Sequence, residues 1–236
     1  MPENYFRFKQ FTIKQDRCAM KVGTDGVLLG AWVNIDSVKR ILDVGTGTGV
    51  IALMLAQRSN AVIHAIEVDK RAADQAETNV ENSPWSDRVK VLQQSYQDFQ
   101  YKAKQYDLIV SNPPFFTDSL LPDGESRSIA RHNLTLKIED LVKGAAEQLT
   151  SNGKLAIIYP FREFYQVVEY ALKKSMYLIR RTDVFPTPDK PVKRVLAEFS
   201  FQHKPIEYNE LIIEEQGRHR YSHGYKSLTT DFYLAH

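Results

Sequence analysis

The run Asp43-Val-Gly-Thr-Gly-Thr-Gly49, set between an apolar strand pattern and a helical one, constrains this chain more than any other feature. Glycines at every second position supply backbone conformations that side chains resist, so a tight strand-to-helix turn is expected there. In that context Gly45 permits the turn, and Gly47 lets the backbone approach a ligand closely. The same rhythm continues along the chain. Strands are expected over 41–44, 62–66, 89–92, 106–110 and 154–159, and helices over 50–58, 71–81, 138–149 and 163–174. Asp69 stands where a helix N-cap belongs, and Asn152-Gly153 where the helix over 138–149 is expected to stop. Segments 177–184 and 194–201 are joined by a proline-rich linker without room for a helix, so they are expected as antiparallel neighbours. The expected fold is α/β, a doubly wound, mostly parallel seven-stranded sheet with an antiparallel terminal hairpin strand. One domain is expected across 1–236, with a sheet core over 40–202, an N-terminal covering segment over 1–39 and an aromatic tail over 203–236.

Composition narrows the function classes. At 236 residues, 43% hydrophobic and 25% charged, the chain has the make-up of a globular domain with an adequate core. The single cysteine, Cys18, excludes an intrachain disulfide framework and reads as a small packed residue rather than a nucleophile. His64 reads as a packed strand residue, and His203, His219, His223 and His236 lack metal-ligand spacing, so no metal is expected. The opening Met1-Pro2-Glu3-Asn4 lacks the pattern of a secretory signal, and no apolar run nears the ~20 residues of a membrane span. The expected location is the cytoplasm, without a membrane or an obligate protein partner.

Net charge is only +2, but its distribution is uneven. Between 173 and 194 seven Lys/Arg face two acids, which makes Arg180, Arg181, Lys193 and Arg194 candidates for RNA phosphates. The competing reading is a solvated basic surface. A shorter aromatic-basic stretch, Tyr5 to Phe11, opens the chain.

Glu67 lies 22 residues beyond Gly45, at the end of the second strand, where a carboxylate can accept ribose hydroxyls. The glycine spacing is G-x-G-x-G rather than the G-x-G-x-x-G of dinucleotide loops, and Asp43 precedes it. A negative charge beside the turn repels pyrophosphate and suits a cationic ligand. S-adenosyl-L-methionine carries an ammonium, a sulfonium and no phosphate, which favours it over an NAD-type ligand or a purely structural turn.

The fourth strand runs into Ser111-Asn112-Pro113-Pro114-Phe115-Phe116. Ligands of open α/β sheets bind beyond the carboxyl ends of the strands, so this segment falls at the same edge as the glycine turn. The prolines fix the backbone and remove two N–H donors. Asn112 and the Pro113 carbonyl then offer two acceptors for the two protons of an –NH₂ group. Phe115, with Phe116 as its neighbour, can stack on a base. The competing reading is a proline-terminated strand with aromatic packing.

The combination of the glycine turn, Glu67 and Asn112-Pro-Pro-Phe115 resembles the class I Rossmann-like methyltransferases that act on exocyclic amines. More narrowly, the segment from Phe11 to Trp32 resembles the N-terminal signature of the bacterial tRNA1(Val) (adenine(37)-N6)-methyltransferase family. The similarity continues through Asn82-Ser-Pro-Trp85, Ala130-Arg131-His132 and Asp231-Phe-Tyr-Leu234. It implies methyl transfer from S-adenosyl-L-methionine to N6 of adenine 37 in a valine tRNA. It also implies that Lys21, Thr24 and their neighbours close over the methionine end of the cofactor. Gly45, Gly47 and Gly49 would meet its amino-acid part and Glu67 its ribose. Relatives carry an acid after the third strand to read the cofactor's adenine. Here Ser95-Tyr96 stands in that place, with Asp98 nearby, so Tyr96 and Asp98 are the candidates. Arg131 and His132 are candidates for substrate contact. The other readings are methylation of guanine N2 in ribosomal RNA or of a protein glutamine, and an inactive RNA-binding relative.

Overall fold

In a computed structural model, described over residues 4–18, 20–99, 105–114, 136–215 and 217–234, the β/α alternation builds one central sheet. A small hairpin, β1 (Tyr5–Arg7) and β2 (Thr12–Lys14), precedes helix α1 (Thr24–Trp32). Then come β3 (Arg40–Val44), α2 (Val50–Arg58), β4 (Val62–Glu67), α3 (Lys70–Glu81), β5 (Val89–Gln93) and β6 (Tyr106–Ser111). The second half holds α4 (Ile138–Gln148), β7 (Leu149–Pro160), α5 (Phe164–Leu172), β8 (Tyr177–Phe185), β9 (Arg194–Ser200), β10 (Glu207–Ile212) and α6 (His223–Thr229).

The large sheet has the order β10-β8-β9-β7-β6-β3-β4-β5, with β9 antiparallel to both its neighbours. It has eight strands, not seven, because β10 pairs parallel with β8. The sheet therefore reaches beyond residue 202 into the segment expected as a tail. After β10 the chain continues to α6 and an aromatic end that packs on the hairpin, where Phe232 O accepts the Lys9 amide and Tyr233 meets Phe6 and Phe8.

One core fills each face of the sheet. On one face α1 and α2 cover Ile41, Leu108, Val110, Ala156 and Leu196. On the other, α4 and α5 cover Leu42, Ile109, Leu155, Ile157 and Val195. The alternation of these residues along each strand is the period-2 pattern of a sheet buried on both sides. Asp69 caps α3 as expected, its Oδ1 accepting the Ala72 amide at 2.8 Å. Asn152-Gly153, in contrast, does not stop a helix. The helix ends at Gln148 and Gly153 lies inside β7, beside a register irregularity opposite Tyr106 and Leu108. A Cβ on Gly153 would sit 2.9 Å from the Tyr106 carbonyl, so close strand approach, not a left-handed cap, requires glycine there.

The chain leaves β3 outward through β4 and β5, then returns to β3's other side with β6. This reversal is the switch point of a doubly wound sheet, and the crevice beyond the carboxyl ends of β3 and β6 is where such folds bind ligands. Among the described residues no helix is long and apolar enough to cross a membrane.

Candidate active site

The glycine turn closes the end of β3. Gly45, Gly47 and Gly49 all take left-handed backbone angles, at φ 74°, 56° and 83°. A Cβ on Gly45 or Gly47 would meet no atom within 4 Å, so backbone strain, not crowding, forbids side chains, and both face open space. The turn hangs on β4, since the Gly45 and Thr46 amides both donate to the Ile66 carbonyl at 3.0 Å. Glu67, at the end of β4, accepts from the Gly47 amide at 2.9 Å through Oε2 and from the Asp69 amide at 3.0 Å through Oε1. Each carboxylate oxygen keeps a further lone pair for a ligand.

Asp43 sits beneath this turn and is fully buried, accepting from Thr46 Oγ1 at 2.6 Å. Burial pushes its carboxyl up to about 7; the Thr46 hydroxyl and the Ala52 amide pull the other way, and Glu67 adds to the rise. Asp43 therefore braces the turn from below and does not border the cleft; Glu67 is the acid beside the turn. Ser111 ties the two strand ends together, its Oγ donating to the Val44 carbonyl at 2.8 Å.

Above the switch point lies a cleft of about 710 Å³. Gly45 and Gly47 form its floor, Lys21 and Thr24 one wall, and Asn112, Pro113, Lys193 and Arg194 the other side. The covering segment is anchored where Gln15 Oε1 accepts the Val22 amide at 2.9 Å. Arg194 bridges the walls, its Nε donating to Asp25 Oδ2 at 2.9 Å. Asn112 Oδ1 is buried and has no hydrogen-bond partner among the described residues. An unsatisfied buried acceptor costs on the order of 1–3 kcal/mol, and one at the edge of a ligand cleft is placed to receive a donor.

Comparisons with known proteins give the family. The family model described as Methyltransferase small domain matches residues 22–183. A protein of Trichodesmium erythraeum named tRNA1(Val) (adenine(37)-N6)-methyltransferase is 49% identical over 238 residues, covering 99% of each chain. One of the same name from Bacteroides thetaiotaomicron is 47% identical over 236 residues, again covering 99% of each. The chain belongs to this family of methyltransferases. A solved structure of a predicted O-methyltransferase from Agrobacterium tumefaciens shares the fold, with a TM-score of 0.70 at 20% identity over 90% of this chain and 99% of that one.

Within this methyltransferase, the sequence candidates divide. Lys21, Thr24, Gly45, Gly47, Asn112, Pro113, Lys193 and Arg194 gather at the cleft, with Glu67 and Gly49 holding its floor. Tyr96 turns its ring into the opposite core against α4, where a Cβ on Gly144 would lie 2.6 Å from it. Its side chain is packed in that core and is not on the lining of the cleft. Asp98 is exposed and accepts from Ser95 Oγ at 2.6 Å. Phe115, Phe116, Arg131 and His132 lie outside the described residues.

The basic run over 173–194 does not form one patch. Neighbours on β8 point to opposite faces. Arg180 stacks on Trp32 at 4.1 Å, donates to the Trp32 carbonyl and lies 3.6 Å from buried Glu198. Arg181 forks onto Asp183 at 2.7 and 2.9 Å on the α5 side, 5.3 Å from the Phe164 ring. Both cations are engaged by the fold, and only Lys193 and Arg194 of the four reach the cleft.

Cys18 is half-buried, and burial with the nearby Glu67, Asp69 and Asp16 pushes its thiol up to about 11, which keeps it protonated and unreactive at neutral pH. His64 bonds the Tyr106 hydroxyl at 2.7 Å, and burial lowers its pKa, consistent with a packed role. Asp25 belongs to the segment expected to close over the cofactor and lies on the cleft lining, whereas sequence reading missed Asn79. Asn79 is buried on α3, donating to the Lys14 and Thr48 carbonyls and accepting the Lys14 amide. Its signal was present: an amide at helical spacing after Ala72 and Ala76 falls on the inward face.

Proposed function

We propose that the protein transfers a methyl group from S-adenosyl-L-methionine to the exocyclic N6 of an adenine in tRNA, position 37 of a valine tRNA. The observation that carries this reading is the buried Asn112 Oδ1, without a hydrogen-bond partner among the described residues, beside Pro113 at the switch point and across one cleft from the glycine turn. The names of the relatives point the same way.

The residues present fit the cofactor. The open floor at Gly45 and Gly47 accommodates its amino-acid part, the spare lone pairs of Glu67 suit ribose hydroxyls, and Lys21 with Thr24 covers the methionine end. When bound, the cofactor supplies a methyl group on a positively charged sulfur. The protein supplies positioning and fixed dipoles. The lone pair of an adenine amine is delocalised into the ring. Asn112 Oδ1 and the Pro113 carbonyl accept its two N–H protons and localise that lone pair toward the methyl group. As the new N–C bond forms and the sulfur–methyl bond breaks, its electron pair staying on sulfur, the positive charge passes to the nitrogen, and the same two oxygens stabilise it until one proton leaves to water. Phe115 supplies a stacking face for the flipped base. A tRNA substrate sets the site of action in the cytoplasm.

Nucleoside mass spectrometry after incubating purified protein, tRNA and labelled cofactor tests the reading. Label in N6-methyladenosine is expected. Label in N2-methylguanosine, or none in RNA, would overturn it.

A further inference from the structure

The aromatic-basic stretch near the start of the chain has no part in the cleft. In the hairpin, Tyr5 pairs with Lys14, Phe6 with Ile13 and Arg7 with Thr12. Phe6 and Ile13 turn inward, while Tyr5, Arg7, Thr12 and Lys14 are exposed on the outer face. Arg7, Lys9 and Lys14 border a single concavity of about 330 Å³, with Asn79 of α3 and Asn82 just past its end beside them and no carboxylate on its lining. None of the three cations is in an ion pair among the described residues; Lys9 Nζ donates to the Thr230 carbonyl at 2.6 Å.

This face is rigidly placed. Phe8, Phe11 and Ile13 are buried, Phe8 stacks on Phe11 at 4.6 Å, and Phe11 meets the Trp85 edge at 5.7 Å. Asn79 bonds both backbone groups of Lys14 and the Thr48 carbonyl of the glycine turn. One side chain thus fixes the hairpin relative to the floor of the cleft. Cations held together without counter-charge repel one another, and an anion relieves that cost. Tyr5, 49% exposed opposite Lys14, adds an aromatic face. Spaced cations with an accessible ring are the chemistry of a nucleic-acid backbone with unpaired bases.

We propose that the outer face of the β1–β2 hairpin is a second RNA-contact surface, with Arg7, Lys9 and Lys14 holding tRNA phosphates away from the target adenine. This rests on the tRNA reading above.

The test compares wild type with Arg7→Gln/Lys9→Gln/Lys14→Gln, measuring tRNA affinity against salt, KM for tRNA and affinity for S-adenosyl-L-methionine. Each lost phosphate contact lowers the log–log salt slope by about 0.7–0.9, so the triple variant should lose about 2–3 and raise KM roughly tenfold or more. Cofactor affinity should hold. Because Lys9 also bonds Thr230, the double variant Arg7→Gln/Lys14→Gln, which removes no side-chain bond among the described residues, should lose about 1–2. If wild type methylates tRNA while both folded variants keep its slope and KM, the hairpin proposal is overturned and the substrate reading stands. If wild type methylates no tRNA, the substrate reading fails and takes this one with it.

Discussion

The β8–β9 strand pair and the mouth of the cleft at the end of β6 treat polar groups in opposite ways. In the strand pair, charged groups find partners within the fold: Arg180 stacks on Trp32 and pairs with Glu198, and Arg181 pairs with Asp183. At the cleft mouth, Asn112 Oδ1 is buried without a partner among the described residues; away from the cleft, the hairpin cations are likewise outside any ion pair among those residues. Groups satisfied internally hold the fold together. Among the described residues other buried polar atoms also lack a partner, such as the Tyr96 hydroxyl in the core; Asn112 Oδ1 differs because it lies at the cleft, where a ligand can reach it.

The largest effect should come from the open side. Asn112→Ala removes an acceptor the reaction needs, so kcat should fall by on the order of 10²–10³ while thermal stability holds or rises. Single-turnover methyl transfer with both substrates saturating reads this directly; a near wild-type rate would dissolve the contrast and leave Asn112 a strand end.

On the closed side the sign reverses. Arg180→Ala removes the stacking on Trp32 and the ion pair with Glu198, which is only 1% exposed and keeps Lys154 and the Asn34 amide, and should destabilise the fold by about 2 kcal/mol in denaturant melts. The salt dependence of tRNA binding by the folded variant should stay as in wild type. A flattened slope with an unchanged melt would put Arg180 among the RNA-binding groups instead.

Glu67 belongs to both sides, because it braces Gly47 and keeps lone pairs free. Glu67→Ala should weaken S-adenosyl-L-methionine about 10- to 100-fold by calorimetry, the scale of a charge-assisted hydrogen bond. Unchanged affinity in a folded variant would restrict Glu67 to bracing the turn.

A further contrast is the pH dependence of Asp43. Its carboxyl is raised from 3.8 to about 7 in the folded protein, so the native state holds a proton that the unfolded chain releases across that window. Stability from this group is full below pH 4, is lost as pH rises toward 7, and is flat beyond. Asp43→Asn should remove this dependence, so the variant's melting temperature should gain on wild type from pH 5 to 8. A constant difference would mean that Asp43 stays ionised in the fold.

Much of the fold was legible because it depends on short stretches. The helix over 50–58, the Asp69 cap and the antiparallel pairing of β8 with β9 follow from local period and turn chemistry. Gly153 misled because a glycine after a helix is ambiguous: a left-handed cap and a crowded strand both require it, and only the Tyr106 carbonyl at 2.9 Å distinguishes them. The basic run over 173–194 misled because counting cations ignores the alternation that sends Arg180 and Arg181 to opposite faces.

The sequence by itself determined the glycine turn, the placement of Glu67 and Asn112 at strand ends, and hence one ligand edge. Those features rest on each residue's own backbone limits and on the rule that parallel strands share a carboxyl end. Tertiary structure alone decided which charges are satisfied. Asp25 finds Arg194 across 169 residues, Arg180 reaches Trp32 across 148, and Asn79 meets Lys14 across 65. Such pairings depend on strand order and on which elements share a face. Hydrogen bonds and ion pairs act over a few ångströms, so no local window of sequence contains both partners.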